Sequence, residues 1–482
     1  MRRFLKGLAS YPAGLARSVA EGWDRFVFTP RDPTALGLVR VAVGALLTWS
    51  VFCYGLDLHA WLGRSGWMNL EVVEAFRRER TPYAWSFWPY VPDAFLRPAW
   101  GACLAVCVAY TLGLFSRTTA VLAWAIAAST ARRAPISIYG FDDILSTWLF
   151  YLAVTGASGQ AASLDRFLTR WKTNRVEVAR RRKDGRWTAP GGAPAPTVSA
   201  NIALRLIQCH LALVYGMSGL SKFRDVGWWD GTAIWGTLAS GEFRLYDLTW
   251  LAAYPLLLNA LTHAALFLET TYPVLIWSRP ARPLVLAGVA GMHLAIGLTL
   301  GLFEFSLAML AANLAFVSGP WLRSLVSGLD QPAGKVLYDG ACPRCRASMA
   351  FLTAGDPDRV IDPVDLTAVD VATIHPGLTR EACMKSMHLV HRGGKVESGY
   401  EAVMTLLSWI PPTKPLALVR FVPGVGWVGR RVYDRIASTR PRDGSCTDDA
   451  CGIHPPSSPS KAETKAGAEA RPGQTRPGKV AR

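Results

Sequence analysis

A polytopic α-helical membrane domain of about eight spans, followed by a small α/β domain, is the fold class this sequence predicts. Three observations carry that reading. Half of the 482 residues are hydrophobic (51%), and they gather in long runs. The formal charge is +17, from 52 basic and 35 acidic residues. The basic residues lie between the apolar runs, as membrane topology distributes them, so the charge points to a lipid bilayer and not to nucleic acid. Near residue 335 the pattern changes to a short apolar run, a turn, two cysteines and a helix. A chain of this length holds more than one domain.

Residues 1–27 carry Arg2, Arg3 and Lys6, but Pro12 and Gly14 interrupt any apolar core. They read as an uncleaved leader or an interfacial helix. The membrane domain occupies 28–320. Its spans are 35–56, 100–115, 119–130, 144–157, 202–220, 250–277, 284–300 and 303–317. Arg40 snorkels near the start of the first. The third and fourth fall short of the roughly 20 residues a straight span needs. Trp228, Trp229 and Trp321 end apolar runs, as interfacial belts do. Residues 158–199 hold nine Lys or Arg and then a Pro/Gly/Ala run, and read as a flexible basic loop. A linker, 318–334, leads to the second domain, 335–440. The Pro- and Ser-rich tail 453–482 reads as disordered.

The positive-inside bias gathers the N-terminus, the loop 158–199, Arg279 and Arg282 on the cytoplasmic side. Arg132, Arg133 and the four arginines within 64–80 are exceptions. An even number of spans then puts both termini and the 335–440 domain in the cytoplasm, where thiols are kept reduced. An odd number would put that domain outside, where it could oxidise.

The chemistry concentrates in Val336-Leu-Tyr-Asp-Gly-Ala-Cys-Pro-Arg-Cys345. A strand over 335–338, a turn at Asp339-Gly340 and a helix over 346–353 place Cys342 at a helix N-terminus. Unpaired N–H groups and the helix dipole favour a thiolate there. Cys345 is close enough to resolve a mixed disulfide. Arg344 and Arg346 are expected to lower the thiol pKa further, and Asp339 to tune proton transfer or cap the helix. Half a zinc site and two inert thiols are the alternatives. Zinc needs two more ligands, and His375, Cys383, His388 and His391 form no second pair. No metal is expected, and the dithiol needs no cofactor. The chain has nine cysteines. Cys53, Cys103, Cys107 and Cys209 sit in apolar segments, so this is not a disulfide framework.

These residues resemble the DCC family of thiol-disulfide oxidoreductases, with Asp339, Cys342 and Cys345 where that pattern has its Asp and two cysteines. Ser386-Met387-His388-Leu389-Val390, Gly399-Tyr400-Glu401-Ala402 and Val432-Tyr433-Asp434-Arg435 look like the rest of it. The resemblance implies a thioredoxin-like fold and exchange with a thiol or disulfide partner.

Ionisable groups inside apolar runs are sites by default. Asp142, Asp143, Arg205, His210, Lys222, His263, Glu269, His293 and Glu304 qualify. Lys222, Glu269 and His293 come from three spans, and one polar cavity would gather them. Snorkelling or packing is the bland reading of each. Leu213-Val-Tyr-Gly-Met-Ser-Gly-Leu-Ser-Lys222, Gly140-Phe-Asp-Asp143 and Ser163-Leu-Asp165 resemble the HTTM family, the membrane domain shared with vitamin K-dependent gamma-carboxylases. That resemblance implies Lys222 as a catalytic base. As ionisable groups in the membrane part, Glu269, His293 and Asp142 are candidates to bind a cofactor, for which a quinone is open. The chain departs from the carboxylase branch at Asp142-Asp143, where that branch has Asn-His. It also shows no luminal lectin-like domain.

Three functions follow. The first is a membrane-bound dithiol oxidoreductase. The second is a membrane enzyme using Lys222, recharged by the dithiol. The third is a non-catalytic assembly protein. Cys446 and Cys451 add a CxxxxC whose bland reading is two exposed thiols. Gly424 to Gly429 has GxGxxG spacing but lacks the strand and acidic partner of a nucleotide site.

Overall fold

The computed structural model describes residues 2–80, 83, 85–181, 193–242, 245–327, 333–356 and 360–440. The tail 453–482, Cys446 and Cys451 lie outside these.

The N-terminal part is helical. In chain order it contains α1 (Arg2–Phe28), α2 (Thr34–Leu56), α3 (Leu58–Leu62), α4 (Leu70–Arg80), α5 (Leu96–Leu112), α6 (Ser116–Arg133), α7 (Gly140–Thr155), α8 (Leu164–Arg181), α9 (Val198–Lys222), α10 (Val226–Asp230), α11 (Ala233–Ala239), α12 (Pro255–Leu275), α13 (Arg282–Leu300), α14 (Phe303–Asn313) and α15 (Gly319–Ser327). Each apolar run of the sequence forms a helix over most of its length. Among the described residues, four helices are long and apolar enough to cross a membrane. They are α2, α5 (continued back to Asp93), α9 and α13. A fifth arises if Phe303–Phe316 and Gly319–Leu325, bent by 116°, count as one. The expected eight therefore reduces to four or five by length and composition. The reasons are local. α7 has only 16 residues, α6 carries Arg117, Arg132 and Arg133, and α12 is diluted by Asn259, His263 and Glu269.

One apolar core joins these helices. Leu36, Val39, Val43 and Leu47 of α2 meet Tyr110 of α5, Trp148 and Leu152 of α7, Ile207 of α9 and Met309 of α14. Arg40 does not snorkel. It is fully buried, and its Nη1 donates to Tyr110 O at 2.6 Å and Thr111 O at 2.7 Å. Its Nη2 donates to Ala162 O at 2.5 Å. The last turn of α5 leaves Thr111 O without a helical partner, while Tyr110 O also accepts from Gly113 N–H at 3.0 Å, and a cation at a helix C-terminus is stabilised. Gly113 closes α5 at φ +71°, and a Cβ on it would collide with Ser163. Arg133 is buried too, donating to Met68 O at 3.1 Å and to Gly63 O.

Half of the expected basic loop is a helix. α8 places Phe167, Trp171 and Asn174 on one face by their spacing of four and three residues, and its charges elsewhere mask that pattern. Asp165 anchors its start, accepting from Phe115 N–H at 2.8 Å, Ser116 N–H at 2.6 Å and Ser116 Oγ at 2.7 Å. The expected linker 318–334 likewise begins with α15, where Arg323 Nη1 pairs with Asp32 Oδ2 at 2.6 Å.

The C-terminal domain has a sheet of β1 (Gly334–Tyr338), β2 (Ile361–Asp365), β3 (His388–His391) and β4 (Val396–Ser398). The strand order is β2-β1-β3-β4. β1 is parallel to β2 and antiparallel to β3, and β4 is antiparallel to β3. The helices are α16 (Pro343–Ala354), α17 (Arg380–Lys385), α18 (Gly399–Trp409), α19 (Lys414–Ala417) and α20 (Val425–Ser438). Alternation along β1 divides the core. Val336 and Tyr338 pack with Met349, Leu352 and Leu406 on one face, and Leu337 packs with Cys383 and Met384 on the other.

α8 docks on α16. Phe351 meets Phe167 and Trp171 edge-on, with centroids 5.2 and 5.8 Å away. Arg170 Nη2 donates to Thr353 O at 3.0 Å and Asp356 O at 3.1 Å. Asn174 Nδ2 reaches Thr353 Oγ1 at 3.1 Å. The helical part thus grips the C-terminal end of α16.

Candidate functional site

The opposite end of α16 carries the two cysteines. β1 ends at Tyr338, and the chain turns through Asp339 and Gly340. Asp339 Oδ1 accepts from Ala341 N–H at 2.9 Å, and Asp339 O accepts from Cys342 N–H at 3.2 Å. Gly340 N–H donates to Asp365 Oδ1 at 3.0 Å. A Cβ on Gly340 would collide with the Asp365 carboxylate, so the turn needs glycine.

Cys342 is the N-cap of α16, at φ −87° and ψ 117°, with Pro343 at the first helical position. Its Sγ accepts from Cys345 N–H at 3.3 Å, which satisfies one of the helix's unpaired donors. Asp339 does not cap this helix; Cys342 does. Both cysteines are free thiols. Cys342 is drawn down to about 6. The largest cause is the hydrogen bond from the Cys345 thiol, helped by the backbone N–H groups of Cys345 and Arg344 and opposed by burial and the Asp339 charge. Cys345 is pushed far up, first by donating that hydrogen bond and then by burial. Two interacting groups with well-separated ionisations divide the roles of thiolate and thiol.

Arg344 and Arg346 do not supply the expected cationic help. Arg344 Nη1 bonds Thr439 O at 3.2 Å, and Arg346 Nη1 bonds Gly340 O at 2.8 Å. The guanidinium at a thiol is that of Arg440, with Nη1 3.6 Å from Cys345 Sγ. Three carbonyls hold it there. Nε donates to Ala437 O at 2.9 Å, and Nη2 to Met384 O at 3.1 Å and Lys385 O at 2.5 Å. No motif marked Arg440, which lies 95 residues from Cys345 in the chain.

The other histidines and Cys383 go elsewhere. Cys383 is buried on the opposite face of the sheet. His388 Nδ1 lies 2.9 Å from Ser386 O, and His391 meets Trp409 edge-on. His375 Nδ1 accepts from Gly377 N–H at 3.1 Å. Among the described residues no group of three His, Cys, Asp or Glu stands together as a metal site.

In the helical part, Gly216 lets α9 approach Pro273 of α12. Lys222 Nζ then lies 2.6 Å from Glu269 Oε2 and 2.8 Å from Ser218 Oγ, with the Trp228 ring 4.9 Å away. His293 does not join that pair directly. Its Nε2 is 2.8 Å from Tyr215 OH, and Asn313 links Tyr215 to Tyr272 at 3.3 and 2.7 Å. Tyr215 and Lys222 stand seven residues apart on α9, about 10 Å along its axis. The expected single cavity is thus two polar clusters at two levels. Asp142 is occupied at the start of α7, where its Oδ2 accepts from Tyr139 N–H at 3.1 Å. Glu304 Oε1 accepts from Trp49 Nε1 at 3.1 Å, and Arg205 stacks over Phe26 at 3.8 Å.

The dithiol, capping a helix directly after the first strand, is the observation the comparison with known families turns on. Residues 336–444 match the family of DCC1-like thiol-disulfide oxidoreductases. The match supports thiol–disulfide redox chemistry in this part of the chain, and the redox domain is used below as its name. It covers the C-terminal domain and leaves the helical part unassigned. No curated protein and no solved structure matches the chain.

Proposed function

We propose that the chain is a membrane-bound thiol-disulfide oxidoreductase whose working groups are Cys342 and Cys345. The observation that carries this is the capping thiol of Cys342, held by the N–H and the thiol of Cys345. The strand order and the position of the dithiol after β1 support a thioredoxin-like redox domain. The Cys342 thiolate attacks one sulfur of a substrate disulfide. An S–S bond forms, the substrate disulfide breaks, and one substrate thiolate leaves and takes a proton. Cys345 then loses its proton and attacks Cys342 Sγ. The second substrate thiol departs, and a Cys342–Cys345 disulfide remains, two electrons having passed to the substrate. Arg440 stabilises the Cys345 thiolate in that second step. Cys342 is fully buried, so attack requires local opening of the turn.

The test is the pH dependence of alkylation in the full chain. Thiolate is lost as pH falls through the lowered value of Cys342. Alkylation of Cys342 is therefore expected to be level above pH 7 and to fall about tenfold per unit below a midpoint of about 6. Cys345 is spared throughout. A midpoint at the ordinary thiol value of about 8.5 would remove the basis of the proposal.

The basic residues of α8, the helix that docks on α16, favour a cytoplasmic redox domain acting as reductant. The buried Tyr215–His293 and Lys222–Glu269 clusters favour a second reading. In it, a lipophilic substrate of quinone type is handled in the helical part and the dithiol recharges it. Lys222→Ala would then abolish activity while leaving the alkylation profile of Cys342 intact. Full activity in that variant would remove this reading and leave the first.

A further inference from the structure

Past α18 the redox domain turns an apolar surface outward. Leu418, Phe421, Val422, Trp427, Val432 and Ile436 are each 52–72% exposed. Folded proteins rarely leave so continuous a patch uncovered. Arginines run through it. Arg420, Arg431 and Arg435 are exposed, and Asp434 is the only acidic residue between 414 and 440. On α20, Val428, Val432 and Ile436 are four residues apart and form one row. Arg431 and Arg435 form the row beside it. Arg431 lies over the Trp427 ring at 4.1 Å, and Arg420 over Phe421 at 5.2 Å.

The place of this surface in the fold narrows its partner. It begins just after Ile410 and Pro412. These two, with Phe167 of α8, all lie within 3.5 Å of where a Gly355 Cβ would sit. α8 in turn starts from Asp165, which binds the first residue of α6. The patch therefore borders the contact that ties the redox domain to the helical part. A second copy of the same surface would bring arginine against arginine. An apolar row flanked by cations and carrying Trp and Phe matches a lipid headgroup boundary.

We infer that the surface from Leu416 to Ile436 rests on an anionic lipid bilayer, with its apolar side chains at the headgroup boundary and Arg420, Arg431 and Arg435 on the headgroup anions. The inference rests on the membrane reading of the helical part. It places the redox domain at the bilayer surface.

Amide exchange of the full chain in lipid nanodiscs tests it. Peptides covering 414–438 are expected to exchange at least about fivefold more slowly in discs containing phosphatidylglycerol than in discs of phosphatidylcholine, since a single cation near an anionic surface is worth roughly that factor. Arg431→Gln with Arg435→Gln should remove the difference. Val432→Asp with Ile436→Asp should return the segment to fast exchange in both discs. These positions are exposed, and unchanged protection of β1 and α16 in the same data shows that each variant is folded. Equal exchange in the two lipids and in the variants would overturn the inference and leave the membrane reading intact. Protection that appears only at two chains per disc would overturn it in favour of a second copy. Failure of the chain to enter discs at all would overturn the membrane reading itself.

Discussion

Cys342→Ser abolishes thiol–disulfide exchange by the full chain, a loss of at least about a thousandfold against a small disulfide, because a serine hydroxyl at neutral pH provides no comparable nucleophile. Cys345→Ala behaves differently. Its Cys342 keeps the N–H of residue 345 but loses the side-chain hydrogen bond that does most to lower it, so its alkylation midpoint rises. Attack still occurs, and the product stops at the mixed disulfide, visible as a mass adduct removed by reductant. Arg440→Met separates the steps further. The mixed disulfide should persist longer than in the parent chain, because the Cys345 thiolate has lost the guanidinium 3.6 Å away. Arg440→Lys should restore part of the rate. Full exchange activity in Cys342→Ser would sink the dithiol mechanism, and a direct electron count would then have to begin elsewhere.

Arg40→Leu produces the largest loss of stability expected in the helical part. The guanidinium serves three carbonyls, those of Tyr110, Thr111 and Ala162, inside a fully buried site. Leucine restores the volume of the stem but none of the donors. Tyr110 O keeps the N–H of Gly113, and each of the two carbonyls left unpaired costs about 1–3 kcal/mol, so a total of about 2 kcal/mol or more is expected. The measurement is thermal unfolding of the purified chain in detergent, read as the shift in midpoint. The effect should also reach the redox domain. Arg40 holds the segment at Ala162, three residues before Asp165, and Asp165 anchors the start of α8. Faster proteolysis between the two parts is therefore expected in the variant. A shift within about 0.5 kcal/mol, the usual range of a surface substitution, would mean that Arg40 is as exposed in solution as a snorkelling side chain.

These two sites differ in how they could be read. The dithiol was legible because its geometry is local. A strand, a tight turn, Cys342, Pro343 and a helix follow each other within about a dozen residues, and helix capping depends on that order alone. The turn at Gly340 shows the limit of such reading, since its need for glycine comes from Asp365, on another strand. Arg344 and Arg346 were expected beside the thiol because they are near it in sequence. The side chain at Cys345 is instead that of Arg440, returned to the site by α20. Lys222 and Glu269 were both legible as charges in apolar runs. Their pairing, and the separation of His293 onto Tyr215, followed from how α9, α12 and α13 pack. In α8 a high charge hid the four-residue and three-residue spacing of Phe167, Trp171 and Asn174. The composition suggested a flexible loop, and a helix formed because Phe351 and Thr353 of α16 gave that face something to cover.

By itself, then, the sequence determined the division into an apolar helical part and a redox domain, the place of the dithiol at a helix N-terminus, and the polar groups placed inside apolar runs. Periodicity, composition and capping act over one or two turns of chain, so they are readable in order. Only the tertiary structure decided which cation faces Cys345, what Arg40 binds and where α8 docks. Those contacts join residues 70 to 186 positions apart, and their partners are chosen by packing, for which no local pattern carries a signal.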